Sequence, residues 1–333
     1  MSLGVGIIGA GGIARAHIRT YREIPDVEVK AVFDVDAERA KAIASEFGLT
    51  AVSDLKALLE RSDIDAVSIC TPHAAHESAA GAAAQAGKHI LCEKPLSTTI
   101  ESGRRMIEAA RRAGVILMVA QTHRFWPANV RVKELLQDGV VGEIVQVVDT
   151  ILSNYPVGPV IPWRFVPEIS GGGVFIDNGV HAVDRLRWWL GSEVKTVYAK
   201  TLTAKYNLEV ENSGFALLTF ESGIPAVIHL SMIAPEQASL CRAEFLGTEG
   251  ILRVDTWGEI HVAKPGGSHW ERIDYSQNPS GITRQITEFV QSIVQGREPS
   301  VPGEEGLRSL AVIEAIYRAA AEGRVVRLTE LNV

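Results

Sequence analysis

The chain has 333 residues, 46% of them hydrophobic and 22% charged, and its 33 basic and 40 acidic side chains leave a net charge of −7. That length suggests two domains with a substantial buried core. The acidic balance argues against nucleic acid or an anionic membrane as the main partner, and three scattered cysteines, Cys70, Cys92 and Cys241, offer neither a disulfide framework nor a zinc site.

The N-terminal run Gly4-Val-Gly-Ile-Ile-Gly-Ala-Gly-Gly-Ile-Ala14 reads as strand, tight turn and helix. Gly9 lets the chain turn, Gly11 lets backbone approach a pyrophosphate, and Ala14 keeps helix and strand close. Gly12 and Ile13 open the helix, whose free N–H groups suit phosphate. A second strand, Glu28–Phe33, ends at Asp34, about 20 residues beyond the glycines, where a carboxylate accepts from a ribose 2′-OH. Helix capping is the alternative role for Asp34, and Asp36 can fill it alone. A carboxylate repels a 2′-phosphate, so NAD is favoured over NADP, although Arg39 nearby is compatible with NADP.

Helical patterns at Ala37–Phe47, Leu55–Glu60, Ala74–Ala86 and Ile100–Ala113 then alternate with strand patterns at Asp65–Thr71, His89–Cys92 and Val115–Ala120. This rhythm predicts a doubly wound parallel sheet, in which ligands bind beyond the carboxyl ends of the strands. Thr71-Pro72-His73, Glu93-Lys94-Pro95 and Gln121-Thr122-His123-Arg124 all fall at such ends. From about residue 125 the pattern changes. A helix at Asn129–Gln137 and a strand at Glu143–Ser153 lead to an irregular stretch, 154–173. A helix at Asn178–Leu190 follows, and then six strand-like segments between Val194 and Val262 without intervening helices. Those successive strands predict an antiparallel or mixed sheet. Phe215–Phe220 is apolar on both faces, so one face is expected to meet a second subunit. Helices near Ile282–Gln295 and Gly306–Ala321 close the chain. No apolar run approaches about 18 residues and the chain opens directly on a strand, so a cytoplasmic protein is expected.

The Gly-Ala-Gly-Gly-Ile-Ala turn, Thr71-Pro72, Glu93-Lys94-Pro95, Trp163-Arg164, the run from Gly171-Gly-Gly through Asp177 and His181 to Asp184, and the tail Arg297-Glu-Pro-Ser-Val-Pro-Gly303 together resemble the glucose–fructose oxidoreductase / inositol dehydrogenase (Gfo/Idh/MocA) family. The resemblance covers essentially the whole chain. It implies an α/β protein with an N-terminal Rossmann domain, 1–124. An α+β substrate-binding and oligomerisation domain with a large, mostly antiparallel open sheet follows, 125–333, assembled as a homodimer or homotetramer. It also implies that Lys94, Asp177 and His181 are the catalytic set, that His76 lies near the cofactor, and that Trp163 and Arg164 border nicotinamide and substrate. The family commonly has Asn after Thr-Pro, where this chain has His73.

The chemistry is coherent without the name. Asp177 and His181 are four apart, so at a helix start they share a face. Histidine titrates near neutrality and can take or return an alcohol proton, with a carboxylate to orient it. Lys94 can polarise the reacting oxygen, and Arg124, Tyr155, Trp163 and Arg164 are candidate substrate contacts. The expected activity is hydride transfer between NAD and a sugar, sugar acid or cyclitol. An NAD-dependent glycoside hydrolase and a non-catalytic dinucleotide sensor are the alternatives. Asp184 reads as structural, and His17, His89 and His123 carry no assigned role.

Overall fold

The computed structural model describes residues 2–159 and 161–331. Its contacts divide into two units: Met1–Gln121 with Ile282–Leu307, and Thr122–Gly281 with Arg308–Val333.

The first unit is a six-stranded parallel sheet of β1 (Leu3–Ile8), β2 (Val27–Phe33), β3 (Thr50–Ala51), β4 (Ala66–Ile69), β5 (His89–Glu93) and β6 (Leu117–Ala120), in the order β3-β2-β1-β4-β5-β6. Strands β4 and β6 are buried at every position, as a sheet covered on both faces requires. The order reverses beside β1, so the Gly-rich turn after β1 and the end of β4 flank the switch point where such sheets bind ligands. Chain order alone runs the second region from 125 to the end. In the structure the segment Ile282–Leu307 instead packs with the first unit: Val119 N–H donates to the Val301 carbonyl at 2.9 Å, and Met118 bridges Pro302.

The second unit holds a nine-stranded sheet of β7 (Ile144–Leu152), β8 (Val194–Leu202), β9 (Ser213–Phe220), β10 (Pro225–Ser231), β11 (Leu240–Gly247), β12 (Gly250–Asp255), β13 (Ile260–Ala263), β14 (Glu271–Ile273) and β15 (Val326–Arg327). Their order is β14-β13-β12-β11-β7-β10-β9-β8-β15. Every neighbouring pair is antiparallel except β7 and β10, which run parallel. One face alternates inward onto a core that includes Phe175, Leu186, Leu218, Phe220, Leu230 and Phe245. The other face leaves Val145, Val148, Tyr198, Leu202, Phe215 and Leu217 exposed.

The helix expected from Asn178 begins differently. Phe175–Gly179 forms a π-helical turn, and the α-helix proper is Val180–Leu190. Strands β3, β14 and β15 have only two or three residues and no sequence pattern of their own; pairing with a neighbour defines them. No helix among the described residues is long and apolar enough to cross a membrane.

Candidate active site

In the first unit the Gly-rich turn is built as the sequence demands. Gly9 has φ +96°, and a Cβ there would stand 2.6 Å from the Cys70 carbonyl oxygen, so only glycine fits. A Cβ at Gly11 or Gly12, by contrast, would meet nothing within 4 Å. These two glycines are not required by protein packing, which fits backbone that a pyrophosphate approaches. The helix Gly12–Glu23 carries no side-chain cap at Gly11 and no acidic residue in its first turn, and Ile13 is exposed there. Its leading amides therefore suit an anion.

Asp34 holds this turn. Its Oδ2 accepts from Ala10 N–H at 2.7 Å, its Oδ1 accepts from Asp36 N–H at 2.8 Å, and Arg39 Nη2 lies 3.2 Å from Oδ1. Capping of the next helix falls to Asp36, which accepts from Glu38 and Arg39 N–H. At the other strand ends, Gln121 is fully buried and neither end of its amide finds a hydrogen-bond partner among the described residues; Thr71 Oγ1 likewise has none. Buried polar groups are normally paired, so these two positions fit a polar ligand.

Lys94 follows β5, half-buried, and its bond to Pro95 is cis. His76 is fully buried with Nδ1 2.9 Å from the Pro95 carbonyl and Nε2 3.1 Å from that of Thr71. Desolvation holds its pKa below the ordinary value. A neutral ring has one N–H to donate, and Pro95 is the nearer acceptor. The ring thus faces the two loops at the strand ends and is engaged with protein. His73 is buried with its ring centroid 5.9 Å from that of His76. Pro72 precedes it and is half-buried.

Beneath Lys94 lies a network that the sequence did not disclose. The buried His17 places Nε2 3.0 Å from Glu93 Oε1 and Nδ1 3.2 Å from Ser68 Oγ, and the Tyr21 hydroxyl is 2.9 Å from Ser68 Oγ. Burial alone lowers the pKa of His17, but Cys70 and Glu93 outweigh it and raise the value to about 10. Glu93 is thereby spoken for by an imidazolium behind it rather than presented forward.

In the second unit the triple glycine has a packing reason. The four amides that open the Asp177–His181 segment are all accepted by two residues far away in sequence. Glu211 takes Gly173 N–H (Oε2, 3.1 Å), Val174 N–H (backbone oxygen, 3.0 Å) and Phe175 N–H (Oε1, 3.0 Å), and the Tyr317 hydroxyl takes Ile176 N–H at 3.2 Å. The Tyr317 hydroxyl donates in turn to Glu211 Oε1 at 2.9 Å. The orphan donors of a helix start are thus satisfied by a buried carboxylate and a phenol. Burial pushes both groups up. A Cβ at Gly173 would stand 1.7 Å from the Glu211 carbonyl oxygen, and one at Gly172 2.2 Å from the Tyr317 hydroxyl.

This cap presents Asp177, buried, within the π turn and His181, half-exposed, in the first turn of the following helix. π turns are rare and recur at functional sites. Arg164 Nε lies 3.3 Å from Asp177 Oδ2, and the Arg164 guanidinium stands 4.7 Å from the Trp163 ring centroid and 5.9 Å from that of Tyr155. Tyr155, Trp163, Arg164 and Asp177 therefore gather in one place, and His181 follows Asp177 by four residues. Arg124 is differently placed: it is buried and donates from Nε and Nη2 to the two carboxylate oxygens of Asp184 at 2.7 and 2.8 Å. Asp184 also accepts from Ser309 at 3.0 Å, so it is a buried, hydrogen-bonded carboxylate. His123, read as carrying no role, stacks on His181 with ring centroids 4.1 Å apart and planes 10° apart.

Residues 3–121 match the family described as an oxidoreductase family with an NAD-binding Rossmann fold, and residues 133–328 match its C-terminal alpha/beta domain. A D-apiose dehydrogenase of Paraburkholderia graminis is 31% identical, over 98% of this chain and 90% of its own length. A myo-inositol 2-dehydrogenase of Thermotoga maritima is 29% identical, over 98% and 99%. Among solved structures, a levoglucosan dehydrogenase in complex with NADH and levoglucosan matches with a TM-score of 0.90 at 26% identity, covering 98% of this chain and 100% of that one. With both halves matched, and with the glycine turn, Glu-Lys-Pro and the Asp177–His181 segment built as described, the chain belongs to the Gfo/Idh/MocA family of oxidoreductases, with an NAD-binding Rossmann fold at its N-terminus.

Proposed function

We propose that this protein is a dehydrogenase or reductase that moves hydride between a nicotinamide dinucleotide and the hydroxyl or carbonyl carbon of a sugar, sugar acid or cyclitol. The first unit holds the dinucleotide and the second the substrate. The observation that carries the reading is the half-exposed His181 beside a buried Asp177 whose carboxylate faces Arg164. Relatives named for apiose and for myo-inositol support the substrate class.

The bound nicotinamide supplies the acceptor or donor of hydride. His181 takes the hydroxyl proton as the carbinol hydrogen leaves with its electron pair, so a carbonyl remains; in reduction it returns that proton. Asp177 orients the imidazole and favours its charged form, and Lys94 polarises the reacting oxygen. Tyr155, Trp163 and Arg164 contact the substrate, and Trp163 and Arg164 also border the nicotinamide. Gly11, Gly12 and Ile13 receive the pyrophosphate, and Thr71 and Gln121 meet the cofactor through polar atoms that have no other partner among the described residues. NAD is the preferred cofactor because the Asp34 carboxylate repels a 2′-phosphate, even with Arg39 beside it. A second copy of the chain covers the open face of the nine-stranded sheet at Tyr198, Phe215 and Leu217.

The test is NADH formation across sugars, sugar acids, inositols and aryl glycosides, with NAD and NADP in parallel. A substrate-dependent signal is expected with NAD, and His181→Asn or Lys94→Met should lower kcat by about 10²–10⁴-fold. Aryl release without NADH would replace the reading by glycoside hydrolysis, and an unaffected His181→Asn would remove His181 as the base.

A further inference from the structure

His181 does not stand alone on its helix. The imidazole of His123 lies flat against it, and behind His123 is a fully buried guanidinium, Arg185, one turn further along the same helix. Arg185 is held by Asp149 of β7: Nε donates to Oδ2 at 2.7 Å and Nη2 donates to Oδ1. Its Nη1 faces three acceptors, Thr256 Oγ1 at 2.8 Å, Cys241 Sγ at 3.0 Å and His123 Nδ1 at 3.2 Å. A guanidinium only donates, so Nδ1 of His123 must offer its lone pair; the ring is neutral and carries its proton on Nε2. Burial opposes the charge on Arg185, but the paired Asp149 carboxylate outweighs it and keeps the side chain protonated, while burial pushes the Cys241 thiol up.

Other groups also face the pair. The Trp257 ring meets His123 edge-on at 6.0 Å, and Trp257 in turn meets Trp126 edge-on at 6.5 Å. The neighbouring Arg124 is matched by Asp184, and the His123 carbonyl accepts from Asn129 Nδ2 at 2.7 Å. On the far side, Asp177 precedes His181 by one turn, with Arg164 on its carboxylate.

We propose that His123 is a positioning residue: the buried Arg185–Asp149 pair locks it as a neutral, flat ring, against which His181 is held in one plane and can carry a proton without a second cation stacked on it. The proposal rests on the reading of His181 as the acid/base. It separates ring from proton, because what His123 supplies is a face and not an exchangeable hydrogen. An imidazole that could charge would repel an imidazolium at this spacing and leave the stack, and Arg185 removes that option by occupying Nδ1.

Two measurements test it. In the intact protein, the imidazole 15N resonances of His123 should show the Nε2–H tautomer with no titration from about pH 5 to about pH 8, across the range where an ordinary histidine charges. This readout does not depend on activity, so it stands apart from the test of His181 itself. In steady-state NADH formation, His123→Ala should lower kcat by about 10- to 100-fold with the Kd for NAD unchanged, as expected for a misplaced reacting group. His123→Phe should restore most of the rate, with a pH profile that superimposes on the wild type. Arg185 Nη1 keeps Thr256 and Cys241 in that variant, so it is not orphaned. Titration of His123 in this range, a Phe variant as impaired as the Ala variant, or an Ala variant with full kcat would each overturn the proposal. If His181→Asn retains full turnover while His123 remains in the fixed tautomer, the acid/base reading fails and the locked ring does not.

Discussion

In the first unit a Cβ placed on Gly11 or Gly12 would meet open space, whereas in the second a Cβ on Gly173 would overlap the Glu211 backbone. The two glycine clusters have the same composition and opposite reasons for it. One leaves room for a ligand that the protein does not itself replace; the other lets a loop press onto a buried carboxylate and phenol that cap the helix bearing Asp177 and His181. The first unit leaves the Gln121 amide and Thr71 Oγ1 without hydrogen-bond partners among the described residues, and the second closes off two buried guanidinium–carboxylate pairs, Arg124 with Asp184 and Arg185 with Asp149. The NAD-binding Rossmann half thus keeps unfilled polar positions, and the other half carries the His123–His181 stack backed by a buried ion pair.

The largest break in this comparison should come from Arg185→Met, which leaves Asp149 buried without its partner. Unfolding free energy should fall by about 3–5 kcal/mol in urea titrations, whereas Arg185→Met with Asp149→Leu should recover most of it. A double variant no more stable than the single one would show that the pair itself is not the source of the loss. Next, Gly173→Ala should cost about 1–3 kcal/mol from overpacking against Glu211. Gly11→Ala should leave stability within about 0.5 kcal/mol and weaken NAD binding. Equal stability losses at the two sites would erase the distinction between them.

Asp34→Ser should raise the ratio of NADP to NAD use, measured as kcat/KM. It should also cost about 1 kcal/mol, because Ala10 and Asp36 lose their acceptors. A changed stability with an unchanged cofactor ratio would make Asp34 purely a turn-holding residue. A pH-dependent effect concerns His17. Its folded pKa is raised to about 10, so its contribution to stability is whole below about pH 6.5. That contribution is lost as pH climbs toward about 10. Urea midpoints measured at rising pH should decline less steeply in His17→Gln, and a slope identical to wild type would remove His17–Glu93 as the cause.

The Rossmann turn, the alternation of strands and helices to Ala120, the open mixed sheet and the family itself were legible in the sequence, because each is carried by residues close together in the chain. The glycine spacing, the apolar periods and the Glu-Lys-Pro tripeptide are local signals. The apolar outward positions Phe215 and Leu217 were legible for the same reason, as strand alternation is a two-residue rule. Glu211, Tyr317, Arg185, Asp149 and the stack of His123 on His181 were not. An isolated buried acid, a tyrosine on a late helix and a histidine after β6 look like any others until pairing brings them together from 36 to more than 140 positions away in the chain. Nor does periodicity announce the π turn at Phe175–Gly179. The sequence by itself determined the longer helices and strands and the residue types they carry. Only the tertiary structure decided how those side chains are charged, oriented and capped, because desolvation and hydrogen-bond partners act through distances in space that chain order does not encode.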